Sequence, residues 1–541
     1  MRFAIRHIID KIFTALTVLS IAVLITILAV ILTPILWKGF SAVVFTGTIE
    51  FRKMQIDIFG RGDIDKLNEE NARSQLCRKK VYDTINRFKQ NIDAETLCDK
   101  TSQIYRNFGK ELQRKDVSGE EYQQLRSFSR EIRDKLQTAF TSSDKKIVDE
   151  NIKDVLKYKA DIRFKDTSAV ELFALAEDFA ADIENIDLAK RQEYANSLKE
   201  FEIITTKLLG PNPSAPAPAL KMERYGATRL DIAEKLLNQL LWSEKWQQAL
   251  PGKPLVKIIS SRAELFAGTE IEPLFNYIRD NLDEMLLPKQ TFYLQYFIDG
   301  STPGHYFGGV GPEILGTLLL TVFAMIFVFP IGIISAAYLA ECSSDKFVIR
   351  IIRMAINTLA GVPSIVFGLF GLAFFVLYLV PLFGGPSKPC ILTAALTLAV
   401  LTLPVMIRSS EEAIRSVPQS YKEASLGLGA GKFRTFICVI LPAAMPGILT
   451  GIILSISRVA GETAPILFTG AIAFGPVPKN LFDPTCTLSY GSYDIAIGDR
   501  LAALVPHNQY GMVATLIMLV FCLNIAAIIM RAKITRKLKG Y

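Results

Sequence analysis

Six long apolar runs constrain what this chain can fold into more than any other feature. The hydrocarbon core of a bilayer is about 30 Å thick, and a helix needs roughly 20 apolar residues to cross it. Two of the runs are longer than one crossing requires and contain prolines and glycines, which a helix bundle tolerates when neighbouring helices satisfy the freed backbone groups. The sequence therefore predicts an all-α polytopic membrane protein with six transmembrane helices. The runs are Ile12–Leu36, Ile314–Leu339, Ile351–Phe383, Ile391–Ile407, Val439–Ala473 and Gly511–Met530.

The first apolar run shares a basic start, at Arg2, Arg6 and Lys11, with secretory signal peptides. A signal peptide has an apolar region of about 7–15 residues and ends at a small-residue cleavage site. This run is longer and is followed by Trp37 and Lys38. We therefore expect a retained membrane anchor.

Basic residues near the span ends set the expected orientation, because cytoplasmic segments carry an excess of Lys and Arg. With a cytoplasmic N-terminus, every segment facing the cytoplasm is basic, whereas the short outward segment 384–389 holds only Lys388. Both termini are therefore predicted to be cytoplasmic, the insert at 38–310 extracytoplasmic, and the location the plasma (inner) membrane. The basic residues are Arg2, Arg6, Lys11, Lys346, Arg350, Arg353, Arg408, Arg415, Lys422, Lys432, Arg434, Arg531, Lys533, Arg536, Lys537 and Lys539.

Composition narrows the classes of partner. Half of the 541 residues are apolar and the formal net charge is +8, but the basic residues cluster at the ends of apolar runs without interleaved aromatic residues. That arrangement favours membrane lipid over nucleic acid as the partner. The seven cysteines form no CxxC pair and there are only three histidines, so the sequence predicts no metal site.

The insert divides into a helical and a mixed part. From Ile64 to Leu209, apolar residues recur three or four positions apart with charges between them, which predicts amphipathic helices. A Pro-rich stretch at 210–218 is typical of a semi-rigid linker. After it, Leu230–Leu241 is predicted as a helix and Pro254–Ser260 as a strand.

No catalytic constellation is evident in the insert. Its many charged residues are interpreted as a solvent-exposed face. The more specific alternative is that they form a contact surface for a soluble binding protein. Cys77 and Cys98 both lie in the insert, and an extracytoplasmic location would permit a disulfide between them. Sequence alone leaves that pairing open.

A polar loop over 409–442 separates the fourth and fifth runs. Ser416 and Pro418 are suited to a helix start, as a capping residue and a first-turn proline. A short helix over Gln419–Leu426 is predicted, followed by a glycine-rich bend and a new helix near Lys432. The glycines of the bend are Gly427, Gly429 and Gly431.

The glycines do not form a nucleotide-binding loop. A Walker A motif needs GxxxxGK followed by Ser or Thr. Here Gly431-Lys432 is followed by Phe433, the first glycine position is Leu426, and no strand precedes it.

The same loop resembles the EAA loop of ABC importer permeases. The resemblance lies in Glu423-Ala424-Ser425, in Gly429 six residues after the Glu, and in Val439-Ile440-Leu441-Pro442. The family pattern is EAA, three residues, Gly, nine residues, then I-x-L-P, so Ser425 and Val439 are conservative departures. In that family the loop forms a coupling helix that docks in a groove of a separate ATPase subunit. Small residues permit that approach, and the glycine permits the sharp return.

A longer stretch, roughly 305–541, is similar to the PstA-type phosphate permeases. The matching segments are Gly308–Pro312, Ala360–Val366, Val417–Ser420 and Arg458–Pro465. The large insert is unusual for that family.

The resemblance implies a transport subunit and not an enzyme. A second permease subunit would complete the pathway, two ATPase subunits would use ATP, and an extracytoplasmic phosphate-binding protein would deliver phosphate. This chain would bind no cofactor itself. The implied domains are an N-terminal tail and first span at 1–37, the insert at 38–310, and a five-helix permease core at 311–541. Closure of the ATPases would tilt the loop and switch the pathway between outward-facing and inward-facing.

Charged residues inside the spans are functional candidates, because an intramembrane ion is costly. Arg458 lies about 25 Å along a helix from Pro442, and Glu462 follows one turn later. Arg458 is expected to offer its planar donor fork to phosphate, with Glu462 holding that fork; a purely structural pair is the alternative. Arg408 is either a topology-setting residue or part of the anion path. The breakers at 361–364 either kink the third span or free backbone groups for substrate.

The sequence leaves one other function open and argues against two more. An ABC permease for another oxyanion, sulfate or molybdate, is compatible with the same Arg–Glu pair. A membrane sensor would need a cytoplasmic output domain, and the longest cytoplasmic stretch is the 409–442 loop. A membrane-embedded enzyme would need a cluster of His, Asp or Glu at catalytic spacing in the spans. The sequence of the spans has no such cluster.

Overall fold

The computed structural model divides the chain into two compact units. We call residues 46–291 the insert unit, and residues 1–45 together with 292–541 the membrane unit. The sequence assigned 38–45 and 292–310 to the insert, whereas the structure groups them with the membrane unit. Residues 214–218 of the Pro-rich linker, Pro254 and Lys346 lie outside the described residues. The described residues are 2–115, 119–183, 190–213, 224–248, 255–305, 307–342, 347–497 and 506–539.

The first helix, α1 (Arg2–Phe40), contains the first apolar run. Most of its large apolar side chains between Ile12 and Ile31 are exposed by half or more, for example Phe13 at 68%. A helix that is apolar all round belongs in the interior of a larger assembly or in lipid. The strand β1 (Val44–Gly47) follows it.

The insert unit is mainly helical, as the periodicity predicts. Asp63, Asp93 and Asp144 cap three of its helices by accepting backbone N–H groups at 2.9–3.2 Å, which satisfies donors that a helix start leaves unpaired. Its helices are α2 (Ile49–Phe59), α3 (Ile64–Ile92), α4 (Ala94–Arg114), α5 (Gly119–Thr141), α6 (Lys145–Lys157), α7 (Val170–Asp182), α8 (Arg191–Leu209), α9 (Leu230–Leu241), α10 (Glu272–Asp280) and α11 (Leu282–Leu286).

Four short strands accompany these helices. β2 (Trp242–Gln248) and β3 (Leu255–Ser261) form an antiparallel pair in which Trp242 faces Ser261. β4 (Lys289–Phe292) pairs with β1. The predicted helix over Leu230–Leu241 is confirmed as α9. The predicted strand is confirmed over its described residues.

A buried ion pair holds the two ends of the insert unit together. Nη1 of Arg78 lies 2.6 Å from Oε1 of Glu50, and both side chains are 2% exposed. Arg78 also donates from Nε to the carbonyl of Met285 at 3.0 Å. Burial alone raises the pKa of the Glu50 carboxyl, but Arg78 and Lys53 outweigh burial and hold that pKa below its ordinary value. The pair therefore links α2 and α3 to α11.

Cys77 and Cys98 are both free thiols in the structure. The Sγ of Cys77 lies 3.5 Å from Oε2 of Glu284, whereas the carbonyl of Cys98 accepts a 3.5 Å hydrogen bond from Gln137. The two cysteines thus have different surroundings, and the disulfide that the sequence left open is not formed.

The membrane unit contains six described helices that are long and apolar enough to cross a bilayer, which confirms the predicted number. They cover Lys11–Phe40, Gly311–Glu341, Ser364–Leu382, Ile391–Arg415, Lys432–Gly461 and Pro506–Lys537. After α1, the α-helical segments are α12 (Gly311–Ala337), α13 (Phe347–Leu359), α14 (Ser364–Gly371), α15 (Val380–Leu382), α16 (Ile391–Arg415), α17 (Gln419–Gly427), α18 (Lys432–Thr435), α19 (Leu441–Gly461), α20 (Ala464–Thr469), α21 (Leu488–Ile497) and α22 (Pro506–Lys539).

The two longest predicted spans are each broken in the structure. In the run Ile351–Phe383 the chain leaves the helix after Leu359 and resumes at Ser364, so the breakers at 361–364 interrupt the helix and do not merely kink it. Pro363 lacks the N–H that a continuous helix would use. The run Val439–Ala473, which is also longer than one crossing requires, is interrupted where α19 ends at Gly461 and Glu462 adopts an extended backbone.

Three π-helical segments interrupt the spans, at Tyr338–Cys342, Leu372–Leu379 and Phe436–Ile440. The last two lie just before Pro381 and Pro442. A π turn widens the hydrogen-bonding register by one residue, so it accommodates a proline that has no N–H to donate.

Small residues bring the spans close together. A Cβ on Gly332 of α12 would lie 2.6 Å from Cγ of Met406 on α16. Such close approach is typical of helix interfaces in membranes, where packing replaces the hydrophobic effect as the driving force.

Candidate functional site

The 409–442 loop contains the short helix that the sequence predicts, but its start differs. Ser416 ends α16, and its hydroxyl donates to the carbonyl of Ala413 at 2.8 Å. Pro418 occupies the capping position of α17, with an extended ψ of 134°. The prediction of Ser416 as the cap is therefore wrong, because its hydroxyl is used by the preceding helix.

Gly429 makes the sharp return after α17. Its φ is +84°, a conformation that favours glycine. Its N–H donates to the carbonyl of Leu426 at 2.9 Å, which closes the turn. Gly427 and Gly431 do not have a positive φ. The bend therefore requires glycine at Gly429 among these three positions.

The face of α17 that carries the EAA-like residues points outward. Every residue of α17 is at least partly exposed, and Glu423 and Ala424 are exposed. Ser425 is half-buried, and its Oγ lies 3.0 Å from Oγ1 of Thr435, at the start of the next span. Two apolar side chains beside α17, Leu428 at 90% and Phe433 at 80%, are among the most exposed in the chain. Contiguous exposed apolar residues in a polar rim are typical of a protein contact.

Leu441 and Pro442 lie in the return helix. This helix is continuous from Lys432 to Gly461, and both residues are half-buried directly after the π turn. They therefore form the root of the 409–442 loop and not part of its outward face.

Arg458 and Glu462 form an ion pair at the end of α19. Nε of Arg458 lies 3.3 Å from Oε1 of Glu462, and the two side chains are 33% and 20% exposed. In the described part of the chain, Nε is the only guanidinium nitrogen of Arg458 with a hydrogen bond to protein. The two terminal amino groups make no hydrogen bond to the described residues.

The helix register shows how deep this pair lies. Gly451 of α19 packs against Ser409 of α16, and beyond the break Cys390 donates its N–H to the carbonyl of Thr469 at 3.0 Å. The two segments therefore run antiparallel to α16, and Arg458 lies between these contacts. That position is level with the middle of α16.

The break before α14 lies at the same level. Gly368 of α14 packs against Pro465 of α20, and Val362 from the break packs against a cluster that includes Val459, the neighbour of Arg458. A Cβ on Gly461 would meet no atom within 4 Å, so the backbone there faces open space. Two interrupted helices beside an open space are typical of substrate sites in transporters.

Arg408 is not brought into this group. Its Nε lies 3.7 Å from Oε1 of Glu412, and the two side chains are 64% and 74% exposed. Within the described residues, no contact joins Arg408 to Arg458 or Glu462. An exposed pair of this kind contributes little to stability.

Sequence reasoning missed a set of ion pairs that join the 409–442 loop to neighbouring helices. Lys422 of α17 pairs with Glu341 at the end of the second span, and Glu411 pairs with Arg353 and Arg415 at 3.2 and 2.9 Å. One signal was available, since Glu341 is the only acidic residue between Glu313 and Asp345. Its partner, 81 residues away, carries no comparable signal.

Comparison with known proteins gives a family for the membrane unit. The family described as "Binding-protein-dependent transport system inner membrane component" matches residues 314–540. The phosphate transport system permease protein PstA of Mycobacterium leprae is 36% identical over 245 residues, which are 44% of this chain and 76% of that protein. The probable ABC transporter permease protein YqgI of Bacillus subtilis is 34% identical over 43% of this chain and 80% of its own length.

One further relative and one solved structure are similar to the same share of the chain. PstA of Xylella fastidiosa (strain Temecula1) is 31% identical over 44% of this chain and 82% of that protein. A structure of the MetNI methionine ABC transporter in an inward-facing conformation covers 42% of this chain and 96% of its own, with 18% identity and a TM-score of 0.34. On the sequence matches, this chain belongs to the PstA-type permeases of binding-protein-dependent ABC transporters.

Proposed function

We propose that this permease is the membrane subunit of an ATP-driven importer of inorganic phosphate. The observation that carries the proposal is the Arg458–Glu462 pair, which lies at a helix break level with the middle of α16. Relatives named as phosphate transport permeases support the choice of phosphate among oxyanions.

The geometry of the pair suits a transient oxyanion site. Nε of Arg458 is held by Glu462, so the terminal amino groups present two donors in one plane, which match two oxygens of a phosphate. Glu462 also brings a negative charge near the anion and weakens its binding. A conduit needs that balance, because a site that binds too tightly cannot release its ion.

Coupling to ATP is assigned to the 409–442 loop. The exposed residues Glu423, Ala424 and Leu428 would enter a groove of a separate ATPase subunit. Gly429 would make the sharp turn that leads the chain back to the membrane. Two ATPase subunits would bind and hydrolyse ATP, while this chain would bind neither ATP nor another cofactor. A second permease subunit would close the pathway.

The proposed orientation has both termini in the cytoplasm and the insert unit outside. An extracytoplasmic phosphate-binding protein would then deliver phosphate from the extracytoplasmic side of the membrane. Arg408, exposed near the loop end of α16, would attract anions leaving the pathway.

The test is radiolabelled phosphate uptake in cells that lack this chain and in cells that express it with its partner subunits. Uptake should depend on the chain and persist in excess sulfate or molybdate. If excess sulfate or molybdate abolishes uptake, the transported anion is another oxyanion and not phosphate. Uptake that does not depend on the chain would overturn the proposal.

A further inference from the structure

The second span ends in an unusual turn that several side chains hold. Its α-helical part, α12, gives way to a π-helical turn over Tyr338–Cys342. Such turns are less tightly bonded than an α-helix and recur at functional sites.

One side of this turn is fixed by a cluster of charges. The carbonyl of Leu339 accepts hydrogen bonds from Nη2 of Arg353 at 2.9 Å and from Nη2 of Arg415 at 3.3 Å. Both guanidinium groups also contact Oε1 of Glu411, whose side chain is only 14% exposed. We call these three residues the Glu411 clamp, and it ties the turn to α13 and α16.

The other side of the turn is joined to the coupling loop. Oε2 of Glu341 accepts a hydrogen bond from Nζ of Lys422, at side-chain exposures of 20% and 37%. A hydrogen-bonded ion pair resists both separation and sliding, whereas an apolar contact resists sliding poorly. A displacement of α17 is therefore passed to the π turn.

From that turn, α12 leads to the level of the proposed anion site. Leu320 and Ala324 of α12 share an apolar cluster with Phe367 of α14 and with Val459, next to Arg458. Close-packed interiors transmit displacement because they have few voids to absorb it. The path from α17 to Arg458 is thus continuous through Glu341 and α12.

We propose that the Glu341–Lys422 ion pair is the strut that transmits movement of α17 to α12, while the Glu411 clamp ties the same π turn to α13 and the end of α16. The inference rests on the proposed role of the 409–442 loop in ATPase coupling. It assigns Glu341 and Lys422 as positioning residues that touch neither ATP nor the transported anion.

The test uses the whole importer in liposomes and measures ATP hydrolysed per anion transported. Lys422→Glu and Glu341→Lys should each raise that ratio about tenfold, within the usual range of coupling between two sites. Binding of the ATPase subunits, measured by pull-down, should not change in Glu341→Lys, because Glu341 lies outside the 409–442 loop. The double variant E341K/K422E should return the ratio to within about twofold of wild type, because the pair is restored in reverse.

Matched controls keep the test decisive. Lys533→Glu removes an exposed basic charge from the end of α22 and should leave the ratio unchanged. Should Lys422→Glu fail to assemble, Lys422→Gln should raise the ratio while Lys422→Arg keeps it low. Wild-type ratios in the single variants, or no recovery in the double variant, would overturn the strut. The ratio is measured with whichever oxyanion the wild-type importer carries, so a failure of the phosphate assignment does not affect this test.

Discussion

Replacing Arg458 with Gln tests the proposed anion site most directly. The change removes the guanidinium charge and both terminal donors but keeps a polar, though shorter, side chain. A hydrogen bond to a charged group contributes about 1.5–3 kcal/mol, which corresponds to about 10- to 150-fold in affinity. Because a third of the Arg458 side chain is exposed, solvent weakens the contact, and we expect the lower end of that range, about tenfold.

The assay is the initial rate of radiolabelled phosphate uptake below half-saturation, corrected for the amount of assembled complex. Arg458→Lys should give an intermediate rate, because it keeps the charge and loses the planar fork. Arg536→Gln, an exposed residue near the end of α22, is the matched control and should transport normally. Uptake by Arg458→Gln at the wild-type rate would refute the pathway role of this residue.

Glu462→Gln separates the pathway role of the pair from a purely structural one. If Glu462 weakens the grip of Arg458 on phosphate, its loss should lower the half-saturation concentration and also lower the maximal rate, because release becomes slower. If the pair only neutralises two charges in the bundle, Glu462→Gln should instead reduce the amount of assembled complex.

Two further predictions concern the loop and the insert unit. Glu423→Lys and Gly429→Val should each reduce recruitment of the ATPase subunits in a pull-down without preventing membrane insertion, the second because a β-branched residue is strained at a φ of +84°; unchanged recruitment would contradict the loop assignment. Arg78→Ala should lower the free energy of unfolding of the insert unit by about 3–5 kcal/mol, because it leaves Glu50 charged and buried. The control Arg87→Ala breaks an exposed ion pair and should lower that free energy by less than about 1 kcal/mol. Since the pKa of Glu50 is lowered in the fold, its contribution is present at neutral pH and is lost as pH falls through that lowered pKa; a melting temperature for Arg78→Ala equal to wild type would contradict the role of the pair.

The number of spans could be predicted because bilayer thickness fixes the length of an apolar helix. The break in the third run could be placed at 361–364, but the break in the fifth run, at Glu462, could not be located. Proline and glycine show that a helix is weakened, but only packing decides whether it bends or ends. Pro330 and Pro446 lie inside continuous helices, whereas Pro363 marks a true interruption.

The charge pairs show a similar division. Arg458 and Glu462 are four residues apart, so helical spacing alone brings them together in prediction. Glu341 and Lys422 are joined only because the end of one span lies beside a loop between two others. No local sequence pattern predicts that these two residues are close. The Glu411 clamp likewise forms only because α13, α16 and the end of the second span meet.

The insert unit could be predicted as helical but not bounded correctly. The sequence placed its limits where the apolar runs end, at 37/38 and 310/311. The structure groups the segments next to α1 and α12 with the spans, because Tyr293 donates its N–H to the carbonyl of Val43 at 2.7 Å and Val310 donates to Tyr296 at 2.7 Å. These backbone bonds form between residues of no special hydropathy, so composition does not reveal them.

The two helix breaks indicate which parts of the membrane unit would move together in the proposed transport cycle. α14 and α20 pack on each other through Gly368 and Pro465, and α20 is bonded to the start of α16 through Thr469. Arg458, in contrast, belongs to the helix that grows out of the 409–442 loop. Movement of the loop would therefore displace Arg458 relative to Glu462, which lies in the break, and so alter how firmly the guanidinium is held. On this basis the break, and not the pair alone, would allow ATP-driven movement to change the affinity of the proposed site for its anion.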